Sequence, residues 1–212
     1  MSNWFGKSVM FSEMRPDSSW LERFNQWYDE EHIPLRMRIP GFVSAQRYQS
    51  ENNYLALYEL ESLAAFSTPE FKAVKAQASD TTNWMLSNVK GFTRYLGDLI
   101  GVAGDRLDEA LASPVLHSIL LNVPQDLLRD HDEWHEREHV PSLLRSADFL
   151  AIRRFAVTTG EPQTFNRLTL YHLSSGTALK SGTFAAANRS PWLAEGREAT
   201  FSKIGSRHVS QL

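Results

Sequence analysis

The chain predicts an α+β fold made of two tandem βαββαβ units, and three observations lead there. The string Trp27-Tyr-Asp-Glu-Glu-His-Ile-Pro34 returns as Trp134-His-Glu-Arg-Glu-His-Val-Pro141, with Trp, Glu, His and Pro in the same places 107 positions apart. Each copy sits in a stretch of helical periodicity between short apolar runs of strand type. The 212 residues have room for two units of about a hundred residues each.

The elements follow in order. Ser8–Met14 reads as a strand, and Pro16, Asp17 and Ser18 as a turn and helix cap. From about Ser19 to Met37 the pattern is helical, with Trp20, Leu21, Phe24, Trp27, Tyr28 and Leu35 on one arc and Glu22, Arg23, Gln26, Asp29 and Glu30 on the other. Pro40-Gly41 closes it. Phe42–Tyr48 and Tyr54–Leu60 read as an antiparallel hairpin around the polar turn 49–53. A second helix is expected near Phe66–Ala78, with Pro69 interrupting or restarting it, and a fourth strand at Gly91–Leu96.

The second pass runs through a strand at Val115–Leu121, a helix after Pro124 and Asp126, and strands at Leu150–Phe155 and Arg167–Leu173. A helix near Ala178–Ala187 and a strand near Thr200–Ile204 end it. Residues 1–100 form the first ferredoxin-like unit, 101–113 a linker and 114–212 the second. Such a unit carries its helices on one sheet face, so the two sheets are expected to cover each other face to face as an intramolecular pseudo-dimer.

Composition narrows the function classes. The formal net charge is -3, without long basic or acidic runs, which argues against nucleic-acid or polybasic membrane contacts. No run approaches the length of a membrane span, and the stretch Met1–Lys7 lacks a signal-peptide core. The absence of cysteine excludes disulfides, thiolate metal sites and cysteine nucleophiles, and fits a cytoplasmic protein.

The motif holds the candidate chemistry. On an ideal helical wheel Glu31 falls between Trp20 and Phe24, and Glu138 takes the matching place. A carboxylate among apolar side chains must be paired, neutralised or face a pocket, and Arg47 and Arg154 are the available partners. His32 and His139 stand at the edge of the arc, either capping the helix end or acting as general acid and base. In the second copy Phe24 and Tyr28 are replaced by His131 and His135, so His131, His135 and His139 form a stripe at i, i+4, i+8. That difference points the chemistry to the second half, with His135, His139 and Glu138 as acid, base and orienter and His131 beside them.

His135-Glu-Arg-Glu-His139 matches the zinc-protease string H-E-x-x-H. The match arises from the shared motif plus one Tyr-to-His difference, and Glu136 falls on the polar arc, so no metal site is assigned. Trp27, Trp134, Tyr28, Tyr48, Tyr58 and Tyr171 are candidates to bind a substrate, each weighed against a core role with a satisfied polar end.

An aromatic-rich helix ending in W-Y-x-x-E-H-x-P (Trp27, Tyr28, Glu31, His32, Pro34), then Pro40-Gly41-Phe42 and Ala45-Gln46-Arg47-Tyr48, resembles the dimeric α+β barrel superfamily, in particular its EthD-like branch. The second copy is degenerate, with Asp148-Phe149 and Arg154-Phe155 at the corresponding places. The resemblance implies a pocket between helices and sheet. The superfamily includes cofactor-free oxygenases, polyketide cyclases, isomerases, lyases and haem-degrading enzymes, and fold analogy does not choose among them. Histidine and carboxylate moving protons lead to a cofactor-independent enzyme of lyase, cyclase or isomerase type, acting on an aromatic or polyketide-like small molecule. A cofactor-free monooxygenase and a non-catalytic binding or assembly protein are the alternatives, and a homo-oligomer is compatible with each.

Overall fold

The computed structural model describes residues 5–187 and 196–210. Met1–Trp4 of the N-terminal stretch read above lie outside the described residues, as do 188–195, between the last predicted helix and strand.

The first half contains β1 (Ser8–Arg15), α1 (Leu21–Trp27), a five-residue π-turn (Tyr28–His32) and α2 (Ile33–Arg36). It continues with β2 (Phe42–Ser50), β3 (Asn53–Leu60), α3 (Pro69–Ala76), α4 (Asp80–Asn88) and β4 (Lys90–Ala103). A short helix α5 (Leu107–Ala112) follows. The second half runs through β5 (Val115–Leu121), α6 (Leu128–Trp134), a second π-turn (His135–His139) and α7 (Val140–Leu143), then β6 (Phe149–Glu161), β7 (Arg167–Leu173), α8 (Gly182–Ala187) and β8 (Gly196–Val209).

The expected pair of sheets packed face to face is corrected. All eight strands belong to one closed antiparallel barrel in the order β1-β3-β2-β8-β5-β7-β6-β4. Two separate sheets would leave four strand edges with unpaired N–H and C=O groups; closure removes them all. The strands that close it, β4, β6 and β8, are accordingly longer than the short apolar runs predicted for them. Part of the closure is visible at the end of β8, where the Ser210 N–H donates to the Val43 carbonyl and the Gln46 amide to the Ile204 carbonyl, both at 2.9 Å.

The chain divides into two compact units, residues 1–98 with 159–162 and 204–212, and residues 99–158 with 163–203. In the first, β3 lies between β1 and β2, with Met10 opposite Tyr58 and Ala45 opposite Tyr58 in the two registers. Met10, Met14, Ala45, Ala56 and Tyr58 therefore share one face, and Phe24, Trp27, Tyr28 and Ile33 pack on it. Gly41, at φ +89°, makes the turn into β2; its carbonyl accepts from Glu61 N–H, and a Cβ there would lie 3.0 Å from that of Ala65. In the second unit Ile119, Leu121, Phe149, Ile152 and Tyr171 meet Val140, Leu143 and Phe184 in the same way.

Helix starts follow the residues that cap them. Asp17 accepts from Ser19 N–H, Thr68 from Phe71 N–H and Ser79 from Thr82 N–H. Pro69 begins α3 at a position where its missing N–H costs nothing.

Candidate functional site

Both copies of the repeated motif leave α-helical geometry at the same point. The Ile33 N–H reaches back to the Tyr28 carbonyl and the Val140 N–H to the His135 carbonyl, each spanning five residues. The following Pro34 and Pro141 account for this locally: proline has no N–H to donate, and its ring collides with the carbonyl four residues back unless the turn widens. An extra residue in the turn swings every later side chain back by about 100°. His32 thus takes the central place on the apolar face that a straight helix assigns to Glu31, and it is buried.

Glu31 is turned toward α4. Its carboxylate accepts from Ser79 Oγ at 2.5 Å and Thr82 Oγ1 at 2.7 Å, and Trp27 Nε1 donates to Thr82 Oγ1 at 2.9 Å. Two motif residues thereby fasten the N-terminus of α4, where a carboxylate also meets the positive end of the helix dipole. Neither residue lines the neighbouring cavity. The expected partnership of the strand arginines is corrected as well. Arg47 binds Asp29 at 2.9 Å and Asn25 at 2.5 Å instead of Glu31. Arg154 reaches the Asp132 carbonyl at 3.2 Å and the Glu136 carboxylate at 3.7 Å, and Glu138 is exposed.

Between the helices and sheet of the first unit lies a cavity of about 290 Å³, at the lower edge of the roughly 300–1,000 Å³ usual for small-molecule sites. Tyr28, His32 and Arg36 enter it from the π-turn and α2, Tyr58 from β3, Phe71 from α3, and Thr82 and Asn83 from α4. Arg36 donates to His32 Nδ1 at 3.2 Å. That nitrogen must be the acceptor, which leaves the hydrogen on Nε2. Burial and then the Arg36 charge hold the His32 pKa well below the ordinary 6.5, so the ring is neutral. The Tyr58 hydroxyl is buried, lines the cavity and has no hydrogen-bond partner among the described residues. Burial pushes its pKa up to about 12 against the lowering effect of Arg36 and Arg47. Tyr28 contacts Met14 Sδ at 3.5 Å and is likewise raised by burial.

The second unit arranges the corresponding residues differently. The histidine stripe forms, with ring centroids 5.9 Å apart for His131 and His135 and 4.7 Å for His135 and His139, but all three are buried. His139 Nδ1 faces the Ala187 carbonyl at 3.2 Å, and Nε2 accepts from the Tyr171 hydroxyl at 2.9 Å. Leu143 stands where Arg36 stands in the first unit. Burial depresses the pKa of all three histidines, to about 4 for His139 and about 2 for His135, which is pushed further by His139 and Arg154. His131 is lowered less because Asp132 offsets part of the effect. Trp134, Glu138 and His139 border a more open pocket of about 400 Å³, with Ser142, Arg145, Thr183 and Ala187. Among the described residues no group of three His, Cys, Asp or Glu is placed to hold a metal ion.

Of the remaining candidates, Tyr48 projects from the sheet face opposite Arg47 and Tyr58, away from the cavity. Arg36, Lys75, Arg94 and the α3–α4 wall escaped sequence reasoning. Arg36 alone left a signal, lying four residues after His32 on the same helix with no acid beside it.

No protein-family profile matches the chain, and no curated protein matches it in sequence. Solved structures do match its fold. An anthrone oxidase-like protein superposes with a TM-score of 0.66 at 10% identity, over 97% of this chain and 94% of its own. A protein from Fusobacterium nucleatum subsp. nucleatum, named for monooxygenase activity, gives 0.65 at 10% identity, over 97% and 95%. A mutant chlorite dismutase from Candidatus Nitrospira defluvii gives 0.58 at 9% identity, over 93% and 90%. The chain therefore has the α+β barrel fold of the dimeric barrel type. At these identities the likeness is one of fold. Among the described residues no helix is long and apolar enough to cross a membrane.

Proposed function

We propose that the chain is a small-molecule enzyme whose site is the helix–sheet cavity of the first unit, and that it stabilises negative charge developing on an oxygen of a compact aromatic substrate. The observation that carries the reading is the buried Tyr58 hydroxyl, turned into the cavity without a partner. A buried donor left unpaired costs about 1–3 kcal/mol, a cost that a ligand oxygen would remove. Beside it, His32 offers a neutral Nε2–H held in position by Arg36. Two donors lining one cavity suit an enol(ate) oxygen, and favour lyase, cyclase or isomerase chemistry. Tyr28, Phe66 and Phe71 supply apolar and ring-edge contacts for an aromatic body.

A cofactor-free monooxygenase is the second reading. The same oxyanion stabilisation would favour the phenolate or enolate of an electron-rich ring, the form that reacts with O2, and two fold neighbours carry oxidase or monooxygenase names. The test is a panel of aromatic ketones and phenols, including anthrone, assayed for turnover with and without O2. Turnover abolished by Tyr58→Phe and by His32→Gln is expected. Oxygen uptake stoichiometric with product selects the second reading and turnover under argon the first. Turnover undiminished in both variants would remove the site assignment.

A further inference from the structure

We infer that the cavity takes its aromatic ligand as an anion, an aromatic carboxylate seated on Arg36; this rests on the site assigned above. The charges around the cavity are of one sign. Arg36, Lys75 and Arg94 line it, and among the described residues no aspartate or glutamate does. Glu31, the motif carboxylate, is occupied by Ser79 and Thr82 and faces α4.

The three cations are not equivalent. Arg94 is paired with Glu161 at 2.8 Å, and both side chains reach solvent. Lys75 and Arg36 have no ion pair among the described residues. Arg36 is the more deeply placed, and its Nε is buried with no hydrogen-bond partner. Its two polar neighbours are His32 Nδ1, which takes one N–H, and the face of the Tyr58 ring 5.7 Å away.

A guanidinium in this position is under-satisfied. One neutral acceptor and a distant ring do not compensate a half-buried cation. The planar fork of arginine matches a carboxylate through two parallel N–H···O bonds, a geometry that neither a phenyl ring nor an alcohol can use. The Tyr58 hydroxyl, within the same lining and equally without a partner, is left for the reacting oxygen of the same ligand. The second unit serves as an internal contrast: Leu143 stands at the place of Arg36 there, and His139 bonds Tyr171 directly.

The experiment uses the full chain and two matched probes, 2-naphthoate and 2-naphthalenemethanol, titrated by calorimetry with protein NMR reporting on the rings of Tyr58 and Phe71. The naphthoate is expected to bind about tenfold or more tightly than the alcohol, as a charge-assisted pair implies. Arg36→Met should erase that ratio, and Arg36→Lys should retain part of it. Should Arg36→Met fail to fold by circular dichroism, the wild-type ratio and Arg36→Lys carry the decision. Equal affinities in wild type, or a ratio that survives Arg36→Met, would overturn the anion inference and leave the aromatic site standing. If neither probe moves the Tyr58 or Phe71 resonances, the site itself falls, and the anion inference with it.

Discussion

The Tyr171 hydroxyl donates to His139 Nε2 across 2.9 Å, whereas Tyr58 and His32, at the corresponding places in the first unit, make no such bond. The two rings also differ in tautomer: Arg36 donates to His32 Nδ1, fixing that ring with its hydrogen on Nε2. In the second unit the Ala187 carbonyl requires a hydrogen on Nδ1 of His139, which frees Nε2 to accept. His139→Ala should therefore cost about 2–4 kcal/mol by removing a buried ring and the acceptor of the Tyr171 hydroxyl, with little effect on ligand binding in the first unit. Urea unfolding together with the naphthoate titration measures both effects, and loss of binding at unchanged stability would contradict the assignment.

Tyr58→Phe should act in the opposite sense. Removing a buried, unpartnered hydroxyl relieves its desolvation, so the variant is expected to be as stable as wild type or about 1 kcal/mol more stable, while activity falls. Thermal unfolding beside the turnover assay tests this. A marked destabilisation would mean that the hydroxyl is satisfied in the free protein.

Acid should unfold the chain early. His32, His117, His131, His135 and His139 are all buried with lowered pKa values, to about 4 for His117 and His139 and about 2 for His135. A histidine whose folded pKa lies below its unfolded value near 6.5 binds more protons when unfolded, so stability falls as pH drops below 6.5. Each contributes up to about 1.4 kcal/mol per pH unit until its folded pKa is reached. Urea midpoints between pH 7 and pH 4.5 should decline steeply. A His117→Phe, His135→Tyr double variant should flatten the curve, and an unchanged slope would refute the linkage.

Thr82→Val should detach α4 from the motif. Its hydroxyl accepts from Trp27 Nε1 and donates to Glu31, so the nearly isosteric change removes two hydrogen bonds, costing about 1–3 kcal/mol. Amide exchange along Asp80–Asn88 should accelerate more than exchange in β3. Uniform acceleration would indicate global destabilisation instead.

Much of this architecture was legible in residue patterns. The hairpin 42–60, the capped helix starts and the repeated motif each rest on local chemistry: turn residues, capping oxygens, apolar periodicity. Barrel closure was not legible, because pairing at the ends of β4, β6 and β8 is decided by distant neighbours rather than by the polar residues those ends contain. The wheel placed Glu31 inside and His32 at the edge because it assumed 3.6 residues per turn; the π-turn exchanges them. The spacing of His131, His135 and His139 marks them as a group, but imidazoles can satisfy a core as well as line a pocket. The choice between the two depended on Tyr171 and Ala187, far away in the chain. The guanidinium beside the first-half histidine rests on one position, Arg36 against Leu143, which no periodicity marks.

The widened turn also sets how the chain tolerates a change of length. In an ordinary helix, deleting one residue rotates everything beyond it and turns a core face outward. At Tyr28–His32 five residues already occupy the span of one turn. Excision of Glu30, combined with Pro34→Ala to restore a donor, would close the turn to normal α geometry and keep His32 and Ile33 facing inward. The motif is thus a place where this fold can absorb an indel without reshuffling its interior.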